Sequence, residues 1–151
     1  MSSQNITPEK NNTFIGNGSY GNVYKNNDIV KKIMNCYCED NELEFNEINM
    51  NEVMFLSSYR ELPFVPKYKS AKLNITKNTN KVELNTIELD MEYCGINLEK
   101  YSASLSYYDR LKTIPSLMTQ FSRILVWMKM QNIVHVDIKP ANVCIDNNII
   151  K

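Results

Sequence analysis

Apolar residues recur along this chain at two periods, and the periods predict its elements. From Glu42 to Tyr59, Phe45, Ile48, Val53, Met54 and Leu56 fall at helical spacing, with Glu42, Glu44, Glu47 and Glu52 along the same stretch. That pattern predicts an amphipathic helix. From Ile114 to Met130, Leu117, Phe121, Ile124, Leu125 and Met128 form a second stripe, widened by Met118, Val126, Trp127 and Met130. A helix this apolar is expected to be buried on more than one face.

Elsewhere the alternation is that of strands. Ile29-Val30-Lys31-Lys32-Ile33 places Ile29, Lys31 and Ile33 on one face. Pro66 to Thr76 and Lys81 to Met91 predict two antiparallel strands joined by a polar turn at 77–80. Val143 to Asp146 reads as a short β run, Asn147-Asn148 as a two-residue turn, and Ile149-Ile150 as the start of the returning strand. Between these, Gly95 to Tyr101 starts a short helix and Ser106 to Lys112 reads as a connector. Residues 1–12 are polar, contain Pro8, and read as a loose tail.

Composition narrows the classes. The 151 residues carry 17 Lys+Arg against 17 Asp+Glu, so no basic surplus points to nucleic acid and no acidic excess to a basic partner. No apolar run is long enough for a membrane span, and the N-terminus lacks an apolar signal segment. Cys36, Cys38, Cys94 and Cys144 have neither metal-ligand nor disulfide-framework spacing. Free thiols in a reducing compartment are expected, and with them a cytoplasmic location. Heavy use of Asn, Lys and Ile suggests an AT-rich genome, such as that of a protist or a large DNA virus; for a virus the compartment is the host cytoplasm.

Two stretches carry candidate chemistry. In Ile15-Gly16-Asn17-Gly18-Ser19-Tyr20-Gly21-Asn22-Val23, glycines make the pattern G-x-G-x-x-G-x-V. Glycine lets a backbone turn tightly and approach phosphate oxygens without a Cβ in the way. An ordinary glycine-rich hairpin has the same pattern. A dinucleotide fold would need a helix directly after the glycines, whereas Asn22-Val23-Tyr24 reads as strand. In Val134 to Val143, the pattern H-x-D-x-K-x-x-N lies between the apolar helix and the short β run. Asp137 can orient and deprotonate a hydroxyl, Lys139 can neutralise a phosphate in transfer, and the Asn142 amide oxygen can hold a cation. Phosphoryl transfer needs those parts.

In their order, these motifs resemble those of the eukaryotic-type serine/threonine protein kinases, over Thr13 to Lys151. The resemblance implies an α+β fold. A small lobe with a five-stranded antiparallel sheet and one helix would occupy 13–95, and the start of a mainly helical large lobe 96–151. It implies ATP and Mg2+ as cofactors and a protein carrying Ser or Thr as substrate. The backbone of Ile15 to Val23 would cover the phosphates. Lys31 would grip the α/β phosphates, held by Glu52, with Glu47 as the alternative partner. Backbone groups of Glu92 and Cys94 would meet the adenine edge, with Met91 behind the base. Asp137 would be the base, Lys139 would stabilise the transferring group, and Asn142 would bind magnesium.

Blander readings stand beside these: a strand lysine that snorkels to solvent, a surface acid, a strand that ends at a glycine. Small-molecule phosphotransferases share H-x-D-x-x-x-x-N, but they usually lack the lysine, so Lys139 and Pro140 favour protein kinases.

The resemblance has two departures. Val136 stands where the family has an arginine that grips an activation-segment phosphate, so the usual electrostatic switch is not expected. His135, the sole histidine, reads as structural, because in the family it packs beneath the active site. The family's D-F-G is expected about two or three residues past Lys151. Asp146 is no substitute, since it belongs to the β-turn, and Asn142 alone would make a poor magnesium site. The 114–130 helix would then expose apolar surface open to aggregation or a partner, including a second polypeptide that completes the large lobe. An alternative function follows: a truncated, pseudokinase-like module that binds nucleotide or a partner without catalysis. A remnant with no stable folded state is the third reading.

Overall fold

The computed structural model describes residues 12–18, 21–35, 47–78 and 81–151. It is α+β, and its contacts divide it into two compact units. The first contains the described residues up to Glu61 together with Lys67–Tyr93; the second contains Leu62–Pro66 and Cys94–Lys151.

The first unit is a five-stranded antiparallel sheet with one helix. Its strands are β1 (Thr13–Gly18), β2 (Gly21–Asn26), β3 (Ile29–Asn35), β4 (Tyr68–Asn78) and β5 (Lys81–Glu92), in the order β1-β2-β3-β5-β4. The helix α1 spans Glu47–Ser58; the part of the expected helix before it, 42–46, lies outside the described residues. Opposite residues in an antiparallel pair share a face. The pairs Val30↔Met91, Lys32↔Leu89 and Met34↔Ile87 therefore define one face. Val30, Met34, Ile87 and Leu89 on that face are buried, as is Leu56 of α1.

The other face of the sheet carries a polar network beside Ile29 and Ile33. Lys31 Nζ meets Glu88 Oε2 at 3.1 Å. Asn74 Nδ2 donates to Thr86 Oγ1 at 2.9 Å and to Glu88 Oε1 at 2.8 Å. Ser70 Oγ donates to Asp90 Oδ2 at 3.0 Å. The Asn74 amide, followed by Lys31, holds the Glu88 carboxyl below the usual carboxylate range, against the opposing effect of burial.

The second unit has β6 (Ile96–Asn97), α2 (Leu98–Ser104), α3 (Tyr107–Met130), β7 (Cys144–Asp146) and β8 (Ile149–Ile150). Its strands form a sheet ordered β6-β7-β8. Val143, Ile145 and Ile150 are its buried centre, with Leu98, Tyr101, Leu117, Phe121 and Ile124 packed against them. Asn147 and Asn148 form the expected two-residue turn, with φ of 49° and 62°. Asn tolerates this left-handed region better than most residues because its short polar side chain bonds locally.

Residues 107–112, expected as a connector, belong to α3. The reason is local: Ser106 is the N-cap, accepting from the Asp109 N–H at 3.1 Å, and the Asp109 carboxylate returns to the Ser106 hydroxyl at 2.5 Å. Pro115 lies inside the helix rather than at its start. Burial on more than one face is also corrected. Among the described residues of α3 none is fully buried, and Met118, Leu125, Val126 and Met130 are exposed. Its half-buried Leu117, Phe121 and Ile124 are the residues that meet the β7–β8 core.

Gly95 joins this sheet under a strict steric limit. Its φ is +78°, and a Cβ there would lie 2.1 Å from the Ile145 carbonyl oxygen. Gly95→Ala is expected to destabilise the protein by about 2 kcal/mol or more, from backbone strain plus displacement of β7. The shift in urea midpoint measures this; a change below about 0.5 kcal/mol would show that the backbone relaxes freely.

Candidate functional site

The glycine stretch folds as the β1–β2 hairpin. Phe14 pairs with Tyr24 and Gly16 with Val23, so Ile15 is bulged out; Asn17 faces Asn22 and Gly18 faces Gly21. Ser19 and Tyr20 lie outside the described residues. The glycines differ in what demands them. A Cβ on Gly21, whose φ is +146°, would lie 2.2 Å from the Ile33 carbonyl oxygen, so β2 and β3 themselves require glycine there. A Cβ on Gly16 would meet nothing within 4 Å, so packing does not require that glycine.

The lysine expected to meet Glu52 was Lys31, and the structure corrects this. Lys32 Nζ bonds both Glu52 carboxylate oxygens, at 2.8 and 2.6 Å. Lys31 lies on the opposite face, with Glu88. The reason is a symmetry of the strand sequence. Ile29-Lys31-Ile33 and Val30-Lys32-Met34 are both apolar–lysine–apolar, so alternation alone cannot choose between them. The buried residues Val30 and Met34 show which face is covered, and Lys32 lies between them. Glu52 occupies the same side of α1 as buried Asn49 and Leu56, three residues after one and four before the other. Glu47, the alternative partner, opens the helix.

At the end of β5, Met91 is half-buried, and the Glu92 N–H donates to the Lys67 carbonyl at 2.9 Å. The Glu92 N–H is thus used within its own unit. The Tyr93 N–H donates to the Asp28 carbonyl at 2.9 Å. Lys25 Nζ stands 3.4 Å from the centre of the Tyr93 ring, a cation–π contact the sequence reading missed. No spacing rule links residues so far apart in the chain. Cys94 is buried.

In the second unit, α3 delivers the H-x-D-x-K-x-x-N loop through a specific stop. Asn132 has φ 55°, its N–H bonds the Lys129 carbonyl at 3.1 Å, and the Ile133 N–H bonds the Met128 carbonyl at 2.9 Å. This is the Schellman pattern of backbone bonds, with Asn in the left-handed position. Two side chains of this eight-residue loop then converge on one carboxylate. Asp137 Oδ2 lies 2.8 Å from Lys139 Nζ and accepts from Asn142 Nδ2 at 2.8 Å. Asn142 Nδ2 also reaches the Asp137 backbone carbonyl at 3.0 Å. A short 3-10 turn at Pro140–Asn142, closed by Asn142 N–H to Lys139 carbonyl at 2.9 Å, brings the asparagine back.

The cluster holds the Asp137 carboxyl below its ordinary range. The Lys139 ammonium is the largest cause, Asn142 adds to it, and partial burial opposes both. The carboxylate is therefore ionised at neutral pH. Asn142 Nδ2 is committed to Asp137 in both bonds, and its Oδ1 is the atom of the amide with lone pairs to offer. Among the described residues, no group of three or more His, Cys, Asp or Glu side chains could hold a metal ion.

His135 departs from the packed position expected of it. It is exposed, and its Nδ1 accepts the Asp137 N–H at 3.2 Å, a structural role played through the backbone. Val136 is 94% exposed, so the position holding it has no packing demand for an apolar side chain. No described helix is long and apolar enough to cross a membrane.

No family model matches the chain. A probable serine/threonine-protein kinase of Dictyostelium discoideum is 27% identical over 134 residues, which are 88% of this chain and 18% of that protein. The chain thus spans less than a fifth of the length of that relative.

Proposed function

We propose that this chain carries the phosphate-handling and catalytic-loop parts of a serine/threonine protein kinase. The observation that carries the reading is the loop itself. Three side chains at the spacing D-x-K-x-x-N meet at one ionised carboxylate in an otherwise open segment. The similarity to a probable kinase over most of the chain supports it, as does the Lys32–Glu52 pair.

In this reading the substrate hydroxyl gives its proton to Asp137 as its oxygen bonds the γ-phosphorus of ATP. The bond from that phosphorus to the β–γ bridging oxygen breaks, and ADP leaves. Lys139 lowers the negative charge around the transferring group. Lys32, oriented by Glu52, replaces Lys31 as the residue for the α/β phosphates. The β1–β2 hairpin offers backbone N–H groups to phosphate. Oxygen donors suit Mg2+, which usually takes one or two protein oxygens and completes its shell with phosphate and water. Asn142 Oδ1 would be such a donor here, and the ion would neutralise phosphate charge.

The test is transfer of label from γ-labelled ATP to a protein substrate by the full-length gene product, with phosphoserine and phosphothreonine identified after hydrolysis. Incorporation on those residues is expected; its absence, or label on other groups, overturns the reading. Mg-ATP at a hundred times its Kd is also expected to raise stability by roughly 2.7 kcal/mol, seen as a higher melting temperature.

A further inference from the structure

Strand β8 is the outer member of the β6-β7-β8 sheet. Lys151 exchanges both backbone hydrogen bonds with Cys144, at 2.9 and 3.0 Å. By the alternation of an antiparallel ladder, the Ile150 N–H and the Asn148 carbonyl therefore point away from β7. An open row of this kind is a liability that folds usually cover.

Gln120 of α3 covers it. Its Nε2 donates to the Asn148 carbonyl at 2.9 Å, and its Oε1 accepts the Ile150 N–H at 3.0 Å. One side-chain amide stands in for the peptide group of a further strand. The partners dictate which way the amide faces, since only its oxygen accepts and only its nitrogen donates. From α2, the Tyr101 hydroxyl adds a bond to Asn148 Oδ1 at 2.5 Å.

The hairpin so held leads directly to the loop. Ile150 packs in one buried cluster with Ile145 and Val143. The Val143 carbonyl accepts the Leu98 N–H at 2.7 Å. Asn142, whose amide meets the Asp137 carboxylate, is the residue before Val143. We infer that Gln120 is a positioning residue for phosphoryl transfer: by closing the edge of β8 it keeps Ile150 seated on Val143 and holds Asn142 against Asp137. The chemical half of this inference rests on the kinase reading; the mechanical half does not.

The side-chain chemistry sets the test. Leucine at 120 would fill the space but leave the Ile150 N–H and Asn148 carbonyl unpaired. Glutamate would still accept from Ile150 but would set a carboxylate against the Asn148 carbonyl. Both variants are made in the full-length gene product. Hydrogen exchange is read at the Asn142 and Leu98 amides, the donors to Lys139 and Val143. In Gln120→Leu these amides are expected to exchange at least about tenfold faster, while the middle of α3 is unchanged. Loop amides as slow as in the wild type overturn the inference.

Where the wild type transfers phosphate, kcat in Gln120→Leu is expected to fall about tenfold to a hundredfold, as for misplacement by about 1 Å, with KM for ATP nearly constant. The assay is run at a temperature where melting curves show the variants folded, so an unchanged kcat also overturns the inference. Gln120→Glu covers the case in which the leucine variant fails to fold. Its kcat relative to wild type should recover as pH falls and the carboxyl regains a donor proton; a purely space-filling role gives no recovery. A wild type that transfers no phosphate sinks the kinase reading, and exchange alone then decides the role of Gln120.

Discussion

Asp137→Asn is expected to remove the proposed phosphoryl transfer and to leave the fold intact. Asparagine keeps the shape of aspartate and an oxygen for Lys139, but it cannot take up a hydroxyl proton. A positioned general base is typically worth 10²–10⁴-fold, so a loss of about 10³-fold in kcat is expected. Circular dichroism and the melting temperature should match the wild type, because the Asp137 backbone is held through His135 and Asn142. Retention of more than about a tenth of the activity would show that Asp137 is not the base.

The pH profile of the wild type gives the same role a sign. Lys139, then Asn142, lowers the Asp137 pKa. The ionised form therefore persists above that lowered value, and the proposed activity is expected to be lost only as pH falls through it, below the ordinary aspartate range. Lys139→Ala removes the main cause, so the acidic limb of kcat/KM should move upward. A limb that stays in place in Lys139→Ala would separate the titrating group from Asp137.

The second large effect separates two adjacent lysines. Lys32→Met is expected to weaken ATP binding about 10- to 100-fold, the loss of one hydrogen-bonded charge contact to phosphate. It should also destabilise the protein by about 1–2 kcal/mol. That is less than the roughly 3–5 kcal/mol of a fully buried broken pair, because the Glu52 side chain is 31% exposed. Lys31→Met should leave ATP affinity nearly unchanged and cost under about 1 kcal/mol, since Glu88 keeps its bond from Asn74. Calorimetric titration with Mg-ATP and urea unfolding of both variants make the comparison. If Lys31→Met has the larger effect on ATP binding, the assignment of Lys32 is wrong.

Much of the fold was legible from local chemistry. The two-residue turn at Asn147-Asn148 follows from residues that tolerate positive φ between two apolar runs. The β4–β5 pair follows from alternation on both sides of a polar turn, and the polar cluster around Asp137 from a spacing of five residues on one loop. These are short-range matters, where sequence neighbours are also spatial neighbours. The start of α3 was missed although its signal was present: Ser106 and Asp109 form a reciprocal cap, while Pro115 draws the eye to a later start.

Long-range partners were not legible. Lys25 meets Tyr93 and Gln120 closes β8 through contacts that no period encodes. Strand β3 shows the limit most clearly. Its sequence by itself determined that a lysine would sit between apolar neighbours on each face of the sheet. Only the tertiary structure decided that Lys32 rather than Lys31 would reach Glu52, because burial of Val30 and Met34 selects the covered face, and that selection is made by packing rather than by the strand's own residues.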